Sequence, residues 1–313
     1  MLQYIIWDVD PEIFHVGSFS VRWYGLLFAL GFLIGMQIMV RIFKTEGKPV
    51  EDTDTLLLYM VITTVLGARI GHFLFYEPEF LLKNPLQVLL PPYSGLASHG
   101  AGIGIITGLW IYSRRATSRK TGQTFLWVLD RIAIVVALAG SFIRFGNLMN
   151  SEIIGRPTNL PWGFVFVRAR DEFPIFTDSA FSSTLKANPA RFEEVITSIK
   201  NGTVNLDYML VSRHPAQLYE SISSLILFLI LLGLWNRYKA RTPRGLLFGL
   251  FMVWIFTLRF LYEFLKENQE AFENTMVLNM GQILSIPAVL LGLFFLIRSF
   301  RSHPQVNSSV PQE

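Results

Sequence analysis

The chain has no cysteine among its 313 residues, and only 16% of them are charged. Without cysteine there is no disulfide framework, no thiolate metal site and no internal nucleophilic thiol. Any thiol chemistry must use a thiol brought by a substrate. Soluble domains carry about 25% charged residues, and a chain that is 51% hydrophobic is neither an ordinary soluble domain nor a disordered one. Histidine is scarce: five, scattered, with neither HxxE nor HExxH spacing, so no metal site is expected. A GxSxG nucleophile elbow is missing. No internal repeat is visible, which leaves an inverted-repeat transporter without support. Nothing signals a cofactor or nucleic acid.

What is present is long apolar runs. A spanning helix needs about 20 mostly apolar residues, and seven candidates meet that: 20–41, 55–76, 96–113, 123–145, 215–236, 245–265 and 279–298. The expected fold is an all-α polytopic membrane protein. The first 19 residues have no basic region, and Asp8, Asp10, Pro11 and Glu12 interrupt any apolar core. They do not read as a signal peptide, so the first helix is expected to be retained. Arg41, Lys44, Lys48, Arg114, Arg115, Arg119, Lys120, Arg237, Lys239, Arg241, Arg244, Arg298 and Arg301 fall on one side of the spans. The short loops opposite carry only Lys83 and Lys266. The positive-inside rule then puts the N-terminus outside and the C-terminus in the cytoplasm.

The domain reading follows. Residues 1–148 hold an N-terminal outer arm and spans one to four, 149–213 form a small mixed periplasmic head, 214–299 hold spans five to seven, and 300–313 are a disordered cytoplasmic tail. Within the head, GRPTNLPWGFVFV suggests a strand or hairpin, and NPARFEEVITSIKNG a short amphipathic helix ending at Gly202.

Charges also stand where lipid should be. Arg22, Arg69, Arg131, Arg144, Arg259, His72, His99, Asp130, Glu220 and Glu263 fall in or at the ends of spans. Such groups cost several kcal/mol at membrane depth unless they face a polar cavity and pair there. Most gather toward the outer ends, with Tyr24 and Asn147 beside them; Asp130 and Arg131 lie nearer the inner end and read as a structural pair. Arg259 and Glu263 are four apart and share a helix face. Two arginines in one cavity repel unless an anion joins them, and guanidinium forks suit phosphate oxygens. Arg144 and Arg259 are therefore expected to bind an anionic headgroup. His99, in SHGAGIG, is either a base working near neutral pH or a packed histidine. His72 reads as structural.

These residues lie in stretches that resemble the prolipoprotein diacylglyceryl transferases. FIRFGNLMNSEIIGRPT, residues 142–158, is similar to that family's signature, approximately G-R-x-G-N-F-x-N-x-E-x-x-G-R-x-T. Arg144, Gly146, Asn147, Asn150, Glu152, Gly155, Arg156 and Thr158 match it. WDVDPEIFHVGSFSVRWYG, GARIGHFLFYEP, RHPAQLYES and LRFLYEFLKENQ with NMGQILSIP resemble further family stretches in the same order. Ile143 and Ser151 stand where the family usually has glycine, Ile154 where a Trp is common, and Ala101 where H-G-G-L has its second glycine. The segment 159–212 is longer than usual.

The resemblance implies transfer of a diacylglyceryl group from phosphatidylglycerol to the lipobox cysteine of a preprolipoprotein signal peptide. A thioether forms and glycerol-1-phosphate leaves. The setting implied is the bacterial inner membrane, with chemistry toward the outer leaflet of the bilayer. The residues carried over are His99, Arg144 and Arg259 as catalytic, with Arg144, Tyr24, Asn147, Glu152, Gly155 and Glu263 binding substrate. The other reading is a lipid or solute transporter with an arginine-lined outer cavity; its permeation path would line both leaflets with polar groups, whereas these cluster at one.

Overall fold

The computed structural model describes residues 4–17, 19–83, 97–169, 173–204, 206–267 and 276–301. Residues 302–313 of the expected tail lie outside these, as does the first residue of the third expected span; the expected tail's first two residues, Phe300 and Arg301, are the last turn of a helix and not disordered. Long helices dominate: α1 (Trp23–Thr45), α2 (Glu51–Tyr76), α4 (Ser98–Arg114), α6 (Phe125–Met149), α9 (Ala216–Tyr238), α10 (Leu246–Tyr262) and α11 (Met280–Arg301), with short α3 (Pro78–Lys83) and α5 (Ala116–Lys120) between them. Six of the seven expected spans are helices long and apolar enough to cross a membrane. The seventh, α4, has 17 residues; at 1.5 Å per residue it reaches about 25 Å, less than the roughly 30 Å hydrocarbon core. The helices keep large apolar side chains on the outside, among them Leu33, Leu58, Ile103, Leu229, Leu290 and Phe294. In water that surface would be unstable; in lipid it costs nothing.

The chain forms two compact units. The first comprises Met1–Leu33, Val136–Ile230 and Leu250–Leu293; the second comprises Ile34–Val135, Leu231–Gly249 and Phe294–Glu313.

In the first unit the N-terminal arm folds onto the polar segment. β1 (Ile5–Trp7) runs parallel to β4 (Phe164–Phe166), with Ile6 opposite Val165. So β4 is not half of a local hairpin; its partner is the arm. Both its faces are buried, as the period-two alternation of a strand allows. Phe164 and Phe166 pack with Leu148, Ile154 and Ala169, while Val165 packs with Ile175, Phe176, Leu185 and Ile199. Asp8 ties the arm down through Arg168 at 2.9 Å and Lys200 at 2.5 Å. The expected amphipathic helix is α8 (Pro189–Lys200), capped by Asn188, whose side chain accepts from Arg191 N, and followed by Gly202 at φ +68°. A further helix, α7 (Ser179–Lys186), precedes it. β2 (Glu12–Val16) and β3 (Phe19–Arg22) make an antiparallel hairpin just before α1. Arg22 therefore ends a strand directly before α1 begins at Trp23, and pairs with Glu12 at 3.2 Å.

In the second unit α2 and α4 meet backbone to backbone. A Cβ added to Gly71 would lie 2.7 Å from Gly100 Cα, and one added to Gly104 would strike the Thr63 carbonyl. Only glycine permits this approach. In the same unit, Glu46 accepts hydrogen bonds from Arg131 Nε and Nη2 (3.1 and 3.0 Å), Trp127 Nε1 (2.7 Å) and Trp235 Nε1 (2.7 Å). Asp130 accepts from Gly245 N at 2.7 Å and Phe248 N at 2.9 Å, capping the start of α10. Asp130 and Arg131 approach each other only to 3.8 Å. Both are structural, but each has its own main partner.

Candidate functional site

Where the end of α6 meets the start of α9, three successive turns are polar. Ser141 and Ser221 hydroxyls lie 3.2 Å apart. One turn on, Arg144 Nε meets Glu220 Oε2 at 2.6 Å. A further turn on, Asn147 Nδ2 donates to Glu152 Oε2 at 3.4 Å, and Gln217 Nε2 donates to the Glu152 carbonyl. The three-residue spacing of Ser141, Arg144 and Asn147 puts them on one face of α6. Sequence spacing alone carries that result.

From Glu220 the charges continue. Its other oxygen binds Lys266 Nζ, which lies 3.7 Å from Glu263 Oε1, which in turn lies 3.9 Å from Arg259 Nε. Asn279 Nδ2 donates to the remaining Glu263 oxygen at 3.0 Å. The result is a ladder, Arg144–Glu220–Lys266–Glu263–Arg259: three cations and two carboxylates, one positive charge in excess. Its middle is closed, with the Lys266 side chain 4% exposed, and its ends are open, with Arg144 at 30% and Arg259 at 44%. The like charges are thus held together by two carboxylates of the protein and not by a bound anion alone, a correction to the sequence argument. Lys266, counted by sequence with the short loops, lies just beyond the last helical turn, and its buried ammonium is the centre of the ladder. Its position three residues after Glu263 was the available signal.

The signature loop is shaped by its neighbours. Gly155 N donates to His214 O at 3.1 Å and Arg156 N donates to Leu265 O at 2.8 Å, so two other segments flank it. A Cβ at Gly155 would fall 2.6 Å from His214 Cβ and 2.8 Å from Leu265 O. Gly155 is required by this clamp, whatever it also touches. Gly146 lies similarly close to Tyr24, whose Cδ2 would be 2.8 Å from an added Cβ. Glu152 is presented between Ser151 (φ 52°) and Ile153 (φ 56°), left-handed conformations that cost a residue with a side chain of order 1–3 kcal/mol. Glycine at position 151 in the family pattern has a direct explanation in that angle. Asn150 Nδ2 also reaches the Glu152 carboxylate, at 3.4 Å. Ile154, where a Trp is common, is buried against Leu148 and Phe164. Ile143 lies within α6, and nothing in the structure explains a glycine there.

Of the sequence candidates, the first unit brings together Arg144, Glu220, Glu263 and Arg259 in one network, and Asn147 with Glu152 in another beside it. Tyr24 stands against the same helix through Gly146. His99 belongs to the second unit. It is exposed in the first turn of α4, with Phe75 at 4.8 Å edge-on and Tyr76 at 6.0 Å. His72 faces Glu77 at 3.4 Å and packs near Tyr76, as a structural histidine would. Among the described residues no three His, Asp or Glu side chains converge as a metal site.

The family model for prolipoprotein diacylglyceryl transferases matches residues 11–298. A protein of Tolumonas auensis called phosphatidylglycerol–prolipoprotein diacylglyceryl transferase is 41% identical over 295 residues, covering 94% of this chain and 97% of that one. Proteins of the same name from Chloroherpeton thalassium and Porphyromonas gingivalis are each 38% identical, covering 96% of both chains.

Proposed function

The chain belongs to the prolipoprotein diacylglyceryl transferase family, and we propose that it moves the diacylglyceryl group of phosphatidylglycerol onto the cysteine thiol of a lipobox in a preprolipoprotein signal peptide, the first step of lipoprotein maturation. The observation that carries the site assignment is the ladder with two open arginine ends and one unbalanced positive charge. The phosphodiester of phosphatidylglycerol carries one negative charge, which balances that excess.

The chemistry follows from the charges. The thiol loses its proton and the thiolate attacks the glycerol carbon bearing the phosphate. A carbon–sulfur bond forms, the carbon–oxygen bond breaks, and the electron pair leaves on glycerol-1-phosphate. Negative charge grows on the phosphate, and fixed guanidinium groups in a low-dielectric setting stabilise it without reorganising. A thiol with a pKa of about 8.5 must ionise first. We assign that proton to His99, with Arg144 and Arg259 on the phosphate. Tyr24, Asn147, Glu152, Gly155 and Glu263 shape the headgroup site.

The membrane setting supports this reading. Six apolar helices fit a multi-pass membrane protein; counting α4 as the seventh span, and applying the lysine and arginine asymmetry, gives an outer N-terminus and a cytoplasmic C-terminus. The proposed location is the bacterial inner membrane, with the reaction toward the outer leaflet, where both substrates present their reacting groups.

The test is a transfer assay. Purified protein in detergent receives phosphatidylglycerol and a lipobox peptide, and mass spectrometry reads diacylglyceryl on the cysteine. Thioether product lost in Arg144→Ala supports the reaction and the headgroup role. Activity surviving in His99→Gln removes His99 as an obligatory base and leaves the reaction standing. No product from folded wild type overturns the proposal.

A further inference from the structure

A second polar chain lies beside the ladder, and it involves no residue the transfer has used so far. Trp162 Nε1 lies 3.0 Å from the Tyr219 hydroxyl, and the same hydroxyl lies 3.3 Å from His214 Nδ1. An indole nitrogen can only donate, so the Tyr219 oxygen accepts from Trp162. The phenol's one proton is then free to go to His214 Nδ1. With the phenol's proton directed there, Nδ1 is the lone-pair nitrogen of a neutral imidazole and the ring's own proton sits on Nε2. Among the described residues Nε2 has no hydrogen-bond partner, whereas Nδ1 has one.

The ring is placed as well as polarised. His214 N donates to Arg156 O at 3.0 Å and His214 O accepts from Gly155 N, so its backbone is fixed to the signature loop on both sides. Lys266 pairs with Gly155 from the opposite edge. Tyr219 precedes Glu220 on α9, Tyr262 precedes Glu263, and the two tyrosine rings are 6.4 Å apart. The aromatic chain and the ionic ladder therefore run side by side at the same level. The charged groups on the elements around the imidazole are Arg156, Arg213, Lys266, Glu220 and Glu267.

We infer that His214 offers Nε2–H as a neutral hydrogen-bond donor to a phosphate oxygen of the diacylglyceryl donor, with Tyr219 and Trp162 as positioning residues that fix its tautomer. This rests on the headgroup site proposed above. A donor of this kind adds directional stabilisation to an oxyanion without adding a further charge to an already cationic site. It also separates two duties: a nitrogen that already carries a proton does not take one from a thiol. Burial lowers the His214 pKa from its ordinary value, which favours the neutral ring.

The experiment compares His214→Gln, His214→Phe and Tyr219→Phe in the full chain, by kcat/KM for transfer from phosphatidylglycerol across pH 5 to 8. A companion ¹⁵N NMR spectrum of the His214 ring gives the tautomer. Glutamine keeps an N–H near the Nε2 position and cannot titrate. The expected result is that His214→Gln keeps most of the activity and the wild-type pH profile. His214→Phe falls about 10²-fold and Tyr219→Phe about tenfold. The spectrum shows Nδ1 unprotonated and Nε2 protonated, an assignment that blurs in Tyr219→Phe. Full activity in His214→Phe overturns the inference. So does a His214→Gln variant as inactive as His214→Phe whose loss follows a pH limb seen in wild type, the mark of a base. Should His214→Phe fail to fold, the ring spectrum of wild type decides: a proton on Nδ1 refutes the tautomer. Wild type that forms no thioether, with Arg144→Ala unchanged in lipid binding, sinks the transfer proposal instead; the spectrum still tests the hydrogen-bond chain.

Discussion

Around Glu46, in the second unit, an arginine and two indole N–H groups close on one carboxylate, and 1% of either charged side chain is exposed. Along Glu220 and Glu263, in the first unit, three cations share two carboxylates, and the terminal arginines are 30% and 44% exposed. The parts are the same and the terminations differ. A buried ion pair is costly to desolvate and strengthens a fold only when its geometry is nearly complete. The Glu46 carboxylate meets that condition, with both oxygens occupied; Arg131 Nη1 makes no hydrogen bond but is buried away from any ligand. The ladder keeps guanidinium surface and a surplus charge at its rim. A network that holds a fold together is closed and locally satisfied; one that serves a reaction is left unfinished in a definite place.

The comparison can be broken first at the closed cluster. Arg131→Ala strands Glu46 and should cost about 3–5 kcal/mol of stability, read as a lower unfolding midpoint in detergent and a smaller folded yield. The protein that does fold should transfer normally, since none of these groups belongs to the ladder. Arg144→Ala should do the reverse. Transfer falls about 10²–10³-fold while the unfolding midpoint moves little; a large stability loss with intact turnover would erase the distinction.

Lys266 sharpens it. Lys266→Ala leaves Glu220 and Glu263 facing each other without the cation between them, and kcat/KM should fall about 10–100-fold, as when a supporting group of a site is removed. Lys266→Arg keeps the charge and should restore most of it. If the alanine variant is as active as wild type, the ladder does not act as a unit. The glycine clamp comes next. Gly155→Ala sets a methyl against His214 and Leu265, and overpacking of this kind costs roughly 1–3 kcal/mol, measurable as a lower midpoint together with reduced transfer. The smallest effect is on pH. The folded-state pKa of His214 lies below the ordinary 6.5 because of burial. Below that value the unfolded chain takes up a proton the folded chain declines, so stability rises with pH up to about 6.5 and is flat beyond. Titrating the unfolding midpoint of wild type against His214→Gln should show a shallower slope below about pH 6.5 in the variant.

Much of this was legible in the sequence because the bilayer simplifies the problem. Apolar runs mark helices, and a charge inside one must have a reason, which is how Arg144, Arg259, Glu220 and Glu263 stood out before any geometry. The i,i+4 spacing of Arg259 and Glu263 became a contact at 3.9 Å. Lys266 escaped because it lies just beyond a helix, where a lysine is usually solvated. Gln217 and the Trp162–Tyr219–His214 chain escaped because polar and aromatic residues at a helix mouth are common and carry no periodic signal. The pairing of β1 with β4 joins residues more than 150 positions apart, and register between distant strands is set by packing on both faces and not by local propensity. The third span was expected from hydropathy; its 17 residues and its glycine face show a helix specified by its neighbour more than by length.

That glycine face has a mechanical meaning. Along the contact between α2 and α4 the backbones touch at Gly67, Gly71, Gly100 and Gly104, and Thr63 fills the space beside Gly108, so sliding one helix past the other would drive a Cα into a carbonyl. The two helices are a single beam. His99, near the start of α4, and Phe75, near the end of α2, are therefore fixed points on the same object. Whatever displacement carries that imidazole during a catalytic cycle must carry all of α2 with it, and a cross-link between the two helices should leave the cycle running.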